Sequence, residues 1–239
     1  MMDSPTEAAC PTYEEICTFC NEVAGRDNLF YDLGVAADRA GYVLLETENF
    51  LVVPCLGALT DWYVLVVPRR HVLSAGWLDP AERAELRVLL GDVTGRLAGV
   101  SGQDVVLFEH GSFSFRDKGG ACHDHAHIHV VATADPVSDF VALVSTHVDL
   151  HPCDNWIEAA ARLVNENQRS YLALQSEAGA MIATAGKAPS AFFRKALAQW
   201  LAVDPGEHDW LVYPQVERLR RMIAAGLPDP RQTAGREDR

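Results

Sequence analysis

Residues 125–131, HAHIHVV, combine the composition of a buried strand with a histidine at every second position. The three histidines are His125, His127 and His129, and the residues between and after them are apolar: Ala126, Ile128 and Val130. Since side chains alternate between the faces of a strand, the imidazoles share one face, with neighbours roughly 6.5–7 Å apart. The segment therefore predicts a strand with a core on one side and a histidine-lined surface on the other.

Two ordinary interpretations of this histidine face remain open. A half-exposed strand can turn polar residues to solvent, although serine, threonine or lysine are the usual choices there. Imidazole is also the commonest transition-metal ligand, so the three rings could together hold a metal ion. His123 shares their parity, but it follows a glycine-bearing segment that predicts a turn. We expect its ring to be solvated or to support its neighbours.

The composition predicts a folded, acidic protein. The 239 residues are 49% hydrophobic and 22% charged, and 20 basic against 33 acidic residues give a formal charge of 20 − 33 = −13. Such a surface repels phosphate backbones, so we expect no nucleic-acid partner. We also expect no membrane span and a cytoplasmic location, because long apolar runs and a secretory signal pattern are not seen.

The hydrophobic pattern predicts an α+β fold in two parts. Residues 12–135 alternate short helices with strand-like runs, and Asp79 followed by proline marks the start of a long helix. Residues 136–227 predict a mostly helical extension, packed on the first part, with one small hairpin that turns at 177–179. Residues 1–11 and 228–239 are expected to be flexible.

A pair of cysteines near the N-terminus has the spacing of metal ligands. Cys17 and Cys20 form a C-x-x-C motif, and Thr12 with Glu15 predicts the start of the helix that holds it. Without an export signal, a disulfide framework among the six cysteines is not expected. A redox pair and two buried, unliganded thiols remain alternatives.

The histidine run resembles the signature of the histidine triad (HIT) superfamily of nucleotide hydrolases and transferases. HAHIHVV fits His-φ-His-φ-His-φ-φ, where φ is apolar, over its whole length. The C-x-x-C helix, the strand that ends in VVPRRH, the long helix and the loop before the run are also similar. The resemblance covers about residues 12–135, and the form DHAHIH with a C-terminal extension resembles zinc-containing bacterial members. It implies a HIT-like antiparallel sheet with flanking helices.

The resemblance implies separate roles for the three histidines. His127 would attack phosphorus and form a covalent phospho-histidine, which water or another acceptor then cleaves. A backbone carbonyl near His125 would hold the other ring nitrogen of His127, and His129 would hydrogen-bond the phosphoryl oxygens. The zinc-containing members further imply a structural zinc held by Cys17, Cys20, His71 and His125.

Several positions depart from nucleotide-binding members of the superfamily. Cys55 stands where an aspartate usually contacts ribose, Tyr63 replaces a histidine and His110 replaces an asparagine. Cys122 occupies the place of a serine or threonine that contacts the leaving group. Adenosine recognition therefore does not follow from the resemblance. The candidate substrate-binding residues are Cys122, His110, Tyr63 and three basic residues, Arg116, Lys118 and Arg194.

We accordingly expect a phosphohydrolase or nucleotidyltransferase that acts on a phosphoanhydride, phosphoramidate or phosphoester of nucleotide-like character. A non-catalytic binding or scaffold module that keeps a zinc-stiffened HIT fold is the main alternative. A metallohydrolase that uses the histidines as a catalytic centre is a third. The resemblance also implies a two-fold homodimer, whereas the C-terminal region could replace that interface.

Overall fold

The structure is a computed structural model that describes residues 12–186 and 188–229 of the chain. The segments 1–11 and 230–239, which were expected to be flexible, lie outside the described residues. Residues 228–229 are described, and Asp229 lies 3.9 Å from the guanidinium of Arg96. Within the described ranges, no helix combines the length and apolar character that crossing a membrane requires.

An antiparallel sheet of eight strands forms the centre of the protein, with the strands in the order β1-β2-β3-β5-β4-β7-β8-β6. The strands are β1 Leu45–Glu46, β2 Phe50–Pro54, β3 Trp62–Pro68, β4 Asp104–Gly111, β5 Ile128–Thr133, β6 His151–Cys153, β7 Tyr171–Ser176 and β8 Gly179–Thr184. The predicted α+β class is confirmed.

Helices cover both faces of this sheet. The helices are α1 Tyr13–Ile16, α2 Thr18–Ala24, α3 Leu29–Asp32, α4 Pro80–Ser101, α5 Val137–Ser145, α6 Trp156–Asn165, α7 Phe192–Trp200 and α8 Val216–Ala225. Short 3-10 turns lie at Arg39–Gly41, Ala75–Trp77 and Pro205–His208. Apolar residues of α4 and α6 form the core on one face, and those of α5 and α7 form the core on the other. The sheet is therefore buried between two helical layers.

The alternation in β5 separates these two cores. Ile128 and Val130 lie in the core under α4, whereas Val131 lies in the opposite core. His129 is on the side of Val131, and its ring stacks on Phe108 with centroids 4.6 Å apart. The strand begins at Ile128 and not at residue 125, because the preceding residues make other contacts. The N–H of Ala126, for example, donates to the backbone oxygen of Val72 at 2.7 Å.

The N-terminal helix is interrupted at the first cysteine of the C-x-x-C motif. Glu15 accepts a hydrogen bond from the backbone N–H of Thr12, as the capping pattern predicts. Cys17 then adopts an extended conformation, with φ −73° and ψ 121°, so α1 ends and α2 begins around it. The predicted single helix is thus two helices with Cys17 at the break.

The C-terminal part continues the same sheet. β7 pairs with β4, with Leu172 opposite His110, and the hairpin from β7 to β8 turns where the sequence predicts. The short strand β6 pairs with β8 and was not predicted. Since the sheet runs across position 136 without a break, the division into 12–135 and 136–227 stays a prediction.

Candidate functional site

Four side chains from three separate segments converge beside the histidine strand. Cys17, Cys20, His71 and His125 each offer one donor atom, and these atoms lie within 4.8 Å of one another. His125 Nδ1 is 3.5 Å from both sulfurs, and His71 Nδ1 is 3.3 Å from the sulfur of Cys20. Tetrahedral zinc, with bonds of about 2.3 Å to sulfur and about 2.0 Å to nitrogen, spaces its donors about 3.5 Å apart. The four residues therefore fit zinc.

The tautomer of His125 also suits metal binding. Its Nε2 lies 2.9 Å from the backbone oxygen of Pro68 and donates to it, so the Nδ1 lone pair faces the sulfurs. Burial lowers the pKa of His125 to about 3, which keeps the ring neutral, as a ligand must be. Burial, together with the neighbouring Cys17, raises the pKa of the Cys20 thiol to about 12. A bound cation would offset the raised pKa of Cys20 and stabilise the thiolates.

His127 has one ring nitrogen committed to the backbone and the other free. Its Nδ1 lies 2.8 Å from the backbone oxygen of His125 and donates to it. No described residue forms a hydrogen bond with its Nε2. Burial is the main cause that lowers the pKa of His127 to about 3, and nearby His123 contributes. The ring is therefore a neutral imidazole whose Nε2 lone pair is available.

His129 is held from behind by a tyrosine. The hydroxyl of Tyr63 lies 2.8 Å from Nδ1 of His129, and both side chains are almost fully buried. Burial raises the pKa of Tyr63 well above its usual value, so the phenol keeps its proton. A phenol that donates to Nδ1 leaves the proton of His129 on Nε2. Tyr63, predicted as a substrate contact, is thus placed to position His129.

His127 and His129 share one narrow cavity of about 30 Å³. Its polar and aromatic walls come from α2, the end of β2, the turn before β5, α7 and the segment after α7: Thr18, Phe19, Glu22, Cys55, Cys122, His123, Arg194 and Trp210.

Arg194 reaches the cavity from the C-terminal part of the chain. It is 3% exposed, and its guanidinium donates to the backbone oxygens of Gly57 at 2.7 Å and His208 at 2.9 Å. Its Nη1 lies 3.6 Å from the sulfur of Cys55. Gly57 has φ +67°, and a Cβ there would lie 2.6 Å from Trp210, so a side chain at this turn would displace the segment that covers the cavity.

Three residues that sequence reasoning did not place in the site belong to the cavity. The ring of His123 lies 5.6 Å from that of His127 and 5.0 Å from that of Trp210. It therefore forms part of the cavity wall, and the expectation of a solvated ring is not met. Burial lowers the pKa of His123 to about 4. Glu22 is 3% exposed, and burial raises the pKa of its carboxyl to about 8. Nothing in the local pattern around Glu22 or Trp210 marked them.

The other predicted substrate contacts lie apart from this cavity. His110 is buried on the same face of the sheet as His129, since it lies two residues beyond Phe108 on β4, and its Nε2 accepts the backbone N–H of Phe193 at 3.1 Å. Lys118 pairs with Asp124 at 2.8 Å. Arg116 is exposed, and it lines a separate depression together with Lys118 and Cys122. Of the predicted contacts, Cys122 and Arg194 therefore line the cavity beside His127.

The three triad histidines do not form one metal centre. In the described part of the chain, one group of histidine, cysteine and acidic side chains is close enough to hold a metal ion, and it consists of Cys17, Cys20, His71 and His125. His125 is the member of the triad in this group. His127 and His129 instead face the cavity. This separation disfavours a metallohydrolase centred on the triad.

Comparison with known proteins agrees with the resemblance. No protein-family model matches the chain, and no curated protein matches it. Among solved structures, a hypothetical histidine triad nucleotide-binding protein from Sulfolobus tokodaii is 19% identical, with a TM-score of 0.38 over 50% of this chain and 70% of that chain. A zinc-bound histidine triad family protein from Mycobacterium smegmatis is 19% identical, with a TM-score of 0.36 over 50% and 76%. The chain resembles the histidine triad proteins.

A third solved structure covers more of the chain. Yeast Ap4A phosphorylase in complex with AMP is 10% identical, with a TM-score of 0.38 over 77% of this chain and 75% of that chain. Since all three TM-scores are below 0.5, function has to be argued from the site itself.

Proposed function

We propose that the protein is a phosphohydrolase or nucleotidyltransferase that works through a covalent phospho-histidine at His127. The observation that supports this most directly is the 2.8 Å hydrogen bond from Nδ1 of His127 to the backbone oxygen of His125. It fixes the proton on Nδ1 and leaves the lone pair of Nε2 at the cavity. A neutral imidazole in a fixed tautomer is a competent nucleophile at neutral pH.

In the first step, the Nε2 lone pair forms a bond to phosphorus. The bond from phosphorus to the oxygen or nitrogen of the leaving group breaks, and its electron pair stays with the leaving atom, which takes up a proton from solvent. In the second step, the oxygen of water or of another acceptor attacks phosphorus and loses its proton. The nitrogen–phosphorus bond then breaks, and its electrons return to Nε2. Water gives hydrolysis, and another acceptor gives transfer.

His129 and Arg194 supply the electrostatic stabilisation for both steps. With Tyr63 donating to Nδ1 of His129, the Nε2–H of that ring points a donor at a phosphoryl oxygen. Arg194 provides a fixed positive charge at the cavity wall. Its hydrogen bonds to Gly57 and His208 keep the guanidinium in place, so little reorganisation is needed as charge develops.

The proposed substrate is a phosphoanhydride, phosphoramidate or phosphoester of nucleotide-like character. Cys122 lines the cavity on the side of the loop before β5, which supports the proposal that it contacts the leaving group. The names of two solved neighbours, a nucleotide-binding protein and an Ap4A phosphorylase, are consistent with such a substrate. A zinc ion held by Cys17, Cys20, His71 and His125 would have a structural role, because it would fix the residue whose carbonyl orients His127.

Trapping of the intermediate tests this proposal. The protein is mixed with adenosine phosphoramidate, ATP and diadenosine tetraphosphate, each labelled at the phosphorus next to the nucleoside. We expect label on the protein that survives alkali and is lost in acid, as a phosphorus–nitrogen bond requires. A protein that stays unlabelled with every substrate would instead favour a non-catalytic module. If the substrates are turned over although no label appears on the protein, and chelation stops that turnover, a metallohydrolase is favoured.

A further inference from the structure

A buried carboxyl without a partner lies in the wall of the cavity. Glu22 is 3% exposed and lines the same cavity as His127 and His129. The hydroxyl of Tyr42 donates to the backbone oxygen of Glu22 and not to its carboxyl. Within residues 12–186 and 188–229, no hydrogen bond or ion pair reaches the carboxyl oxygens of Glu22.

The surroundings make this arrangement costly. The neighbouring walls of the cavity are apolar and are formed by Phe19, Phe30 and Leu65. Burying a polar group without a hydrogen-bond partner costs roughly 1–3 kcal/mol of folding free energy. The carboxyl opens onto a cavity, so a molecule that enters this cavity can supply the missing donor.

The phosphate of a substrate is a poor partner for this carboxyl. Phosphate oxygens are acceptors, and the donors suited to them are His129 Nε2 and the nearby cation Arg194. A protonated carboxyl could donate its O–H to phosphate, but in either protonation state at least one of its oxygens can only accept, and phosphate leaves that oxygen without a donor. Glu22 is therefore matched to a different part of the bound molecule, one that carries N–H or O–H groups.

We propose that Glu22 accepts a hydrogen bond from a hydroxyl or ammonium group on the organic part of the substrate that is attached to phosphorus. This inference rests on the proposed function, because it takes the cavity to be the substrate site. It narrows the substrate class to phosphate compounds whose organic part bears such a donor within a few bonds of phosphorus. Plain alkyl and aryl phosphates lack it.

Small phosphate monoesters test this inference on the full-length protein with zinc bound. Propyl phosphate, glycerol phosphate and phosphoethanolamine offer no donor, two hydroxyls and an ammonium, respectively. Calorimetry at one neutral pH measures their affinity for the wild type, Glu22→Gln and Glu22→Leu. We expect at least one donor-bearing ester to bind the wild type about tenfold more tightly than propyl phosphate, as one satisfied buried hydrogen bond predicts. The ester that binds more tightly than propyl phosphate shows whether the donor is a hydroxyl or an ammonium group.

The two variants separate recognition from folding. In Glu22→Leu the preference for donor-bearing esters should vanish while propyl phosphate binds as before. Glu22→Gln keeps an acceptor of similar size, so it should retain a hydroxyl preference and lose an ammonium preference. Zinc content and melting temperature are measured for both variants, since Glu22 lies two residues from Cys20. If Glu22→Leu does not fold, Glu22→Ala, which also removes the acceptor, takes its place.

The possible failures are distinguishable. Equal affinity of the wild type for all three esters, or a preference that persists in Glu22→Leu, overturns the role of Glu22 and leaves the proposed function intact. If none of the three esters binds the wild type, the cavity is not a phosphate site. The proposed function then fails together with this inference.

Discussion

Nδ1 of His127 donates to the backbone oxygen of His125 across 2.8 Å, while the side chain of His125 faces the sulfurs of Cys17 and Cys20. His125 thus contributes its side chain to the metal-ligand set and its backbone carbonyl to the positioning of His127. The position of that carbonyl depends on whatever fixes the His125 ring. The metal set and the nucleophile are therefore mechanically coupled although they do not share a ligand.

Replacement of a metal ligand should affect both sites. In Cys20→Ser we expect zinc content to fall from about one ion per chain to a trace. Stability should drop by an amount on the order of several kcal/mol, because the ion links three segments. Labelling of His127 should fall as well, since the carbonyl of His125 is no longer fixed. Metal analysis, thermal unfolding and trapping measure the three effects.

Cys153→Ser is the matched control, because Cys153 lies in β6, away from the metal set. It should keep zinc and labelling at wild-type levels. Full zinc content in Cys20→Ser, or a metal-free wild type purified without chelators, would contradict the assignment of the site.

Removal of the Tyr63 hydroxyl should slow the chemical step. Tyr63→Phe takes away the group that lies 2.8 Å from Nδ1 of His129 and leaves the ring in place. The loss of one buried hydrogen bond, about 1–2 kcal/mol, predicts a fall in kcat of roughly ten- to thirtyfold. KM should change little, because Tyr63 does not line the cavity. A variant with wild-type kcat would show that the tautomer of His129 is set in another way.

Glu109 should make the protein less stable as pH rises from acid to neutral. Its carboxyl is fully buried, and this burial raises its pKa from 4.5 to about 7. The hydrogen bonds that the carboxyl accepts from the hydroxyl of Tyr171 and the N–H of Ala75 lower the pKa, but by less than burial raises it. Between these values the unfolded chain has released the proton and the folded chain has kept it. Ionisation therefore favours unfolding, and the contribution of protonated Glu109 is lost as pH passes about 7.

Chemical denaturation of the wild type and Glu109→Gln between acid and neutral pH measures this effect. The free energy of unfolding of the wild type should fall across the interval relative to the variant, by on the order of a few kcal/mol. Parallel curves for the two proteins would mean that Glu109 titrates normally. Other carboxyls act equally on both proteins, so the difference isolates this one.

Much of the histidine site follows from local sequence pattern. Alternation alone places His127 and His129 on one face, opposite Ile128 and Val130, because the period of a strand is two. The C-x-x-C spacing likewise brings two sulfurs to one helix start. Both patterns are short-range, so the sequence could predict them.

The remaining cavity depends on contacts that are distant in the sequence. Arg194 and Trp210 reach it because β7 joins the sheet beside β4 and returns the chain past the site, a pairing without a local signature. His123 lies in a turn, where alternation does not determine the direction of a side chain. Glu22 looks like any acidic residue on a short helix, and only the packing of Phe30 and Leu65 around the cavity shows that it is buried.

The central claim is that Nε2 of His127 becomes covalently bonded to phosphorus. Mass spectrometry of the trapped protein, digested under alkaline conditions, locates the label in the wild type, His127→Asn and His123→Asn. The account predicts label on His127 in the wild type, none in His127→Asn, and continued labelling of His127 in His123→Asn, with both variants folded. Label at wild-type levels in His127→Asn, or label that maps to a residue other than His127, would contradict it.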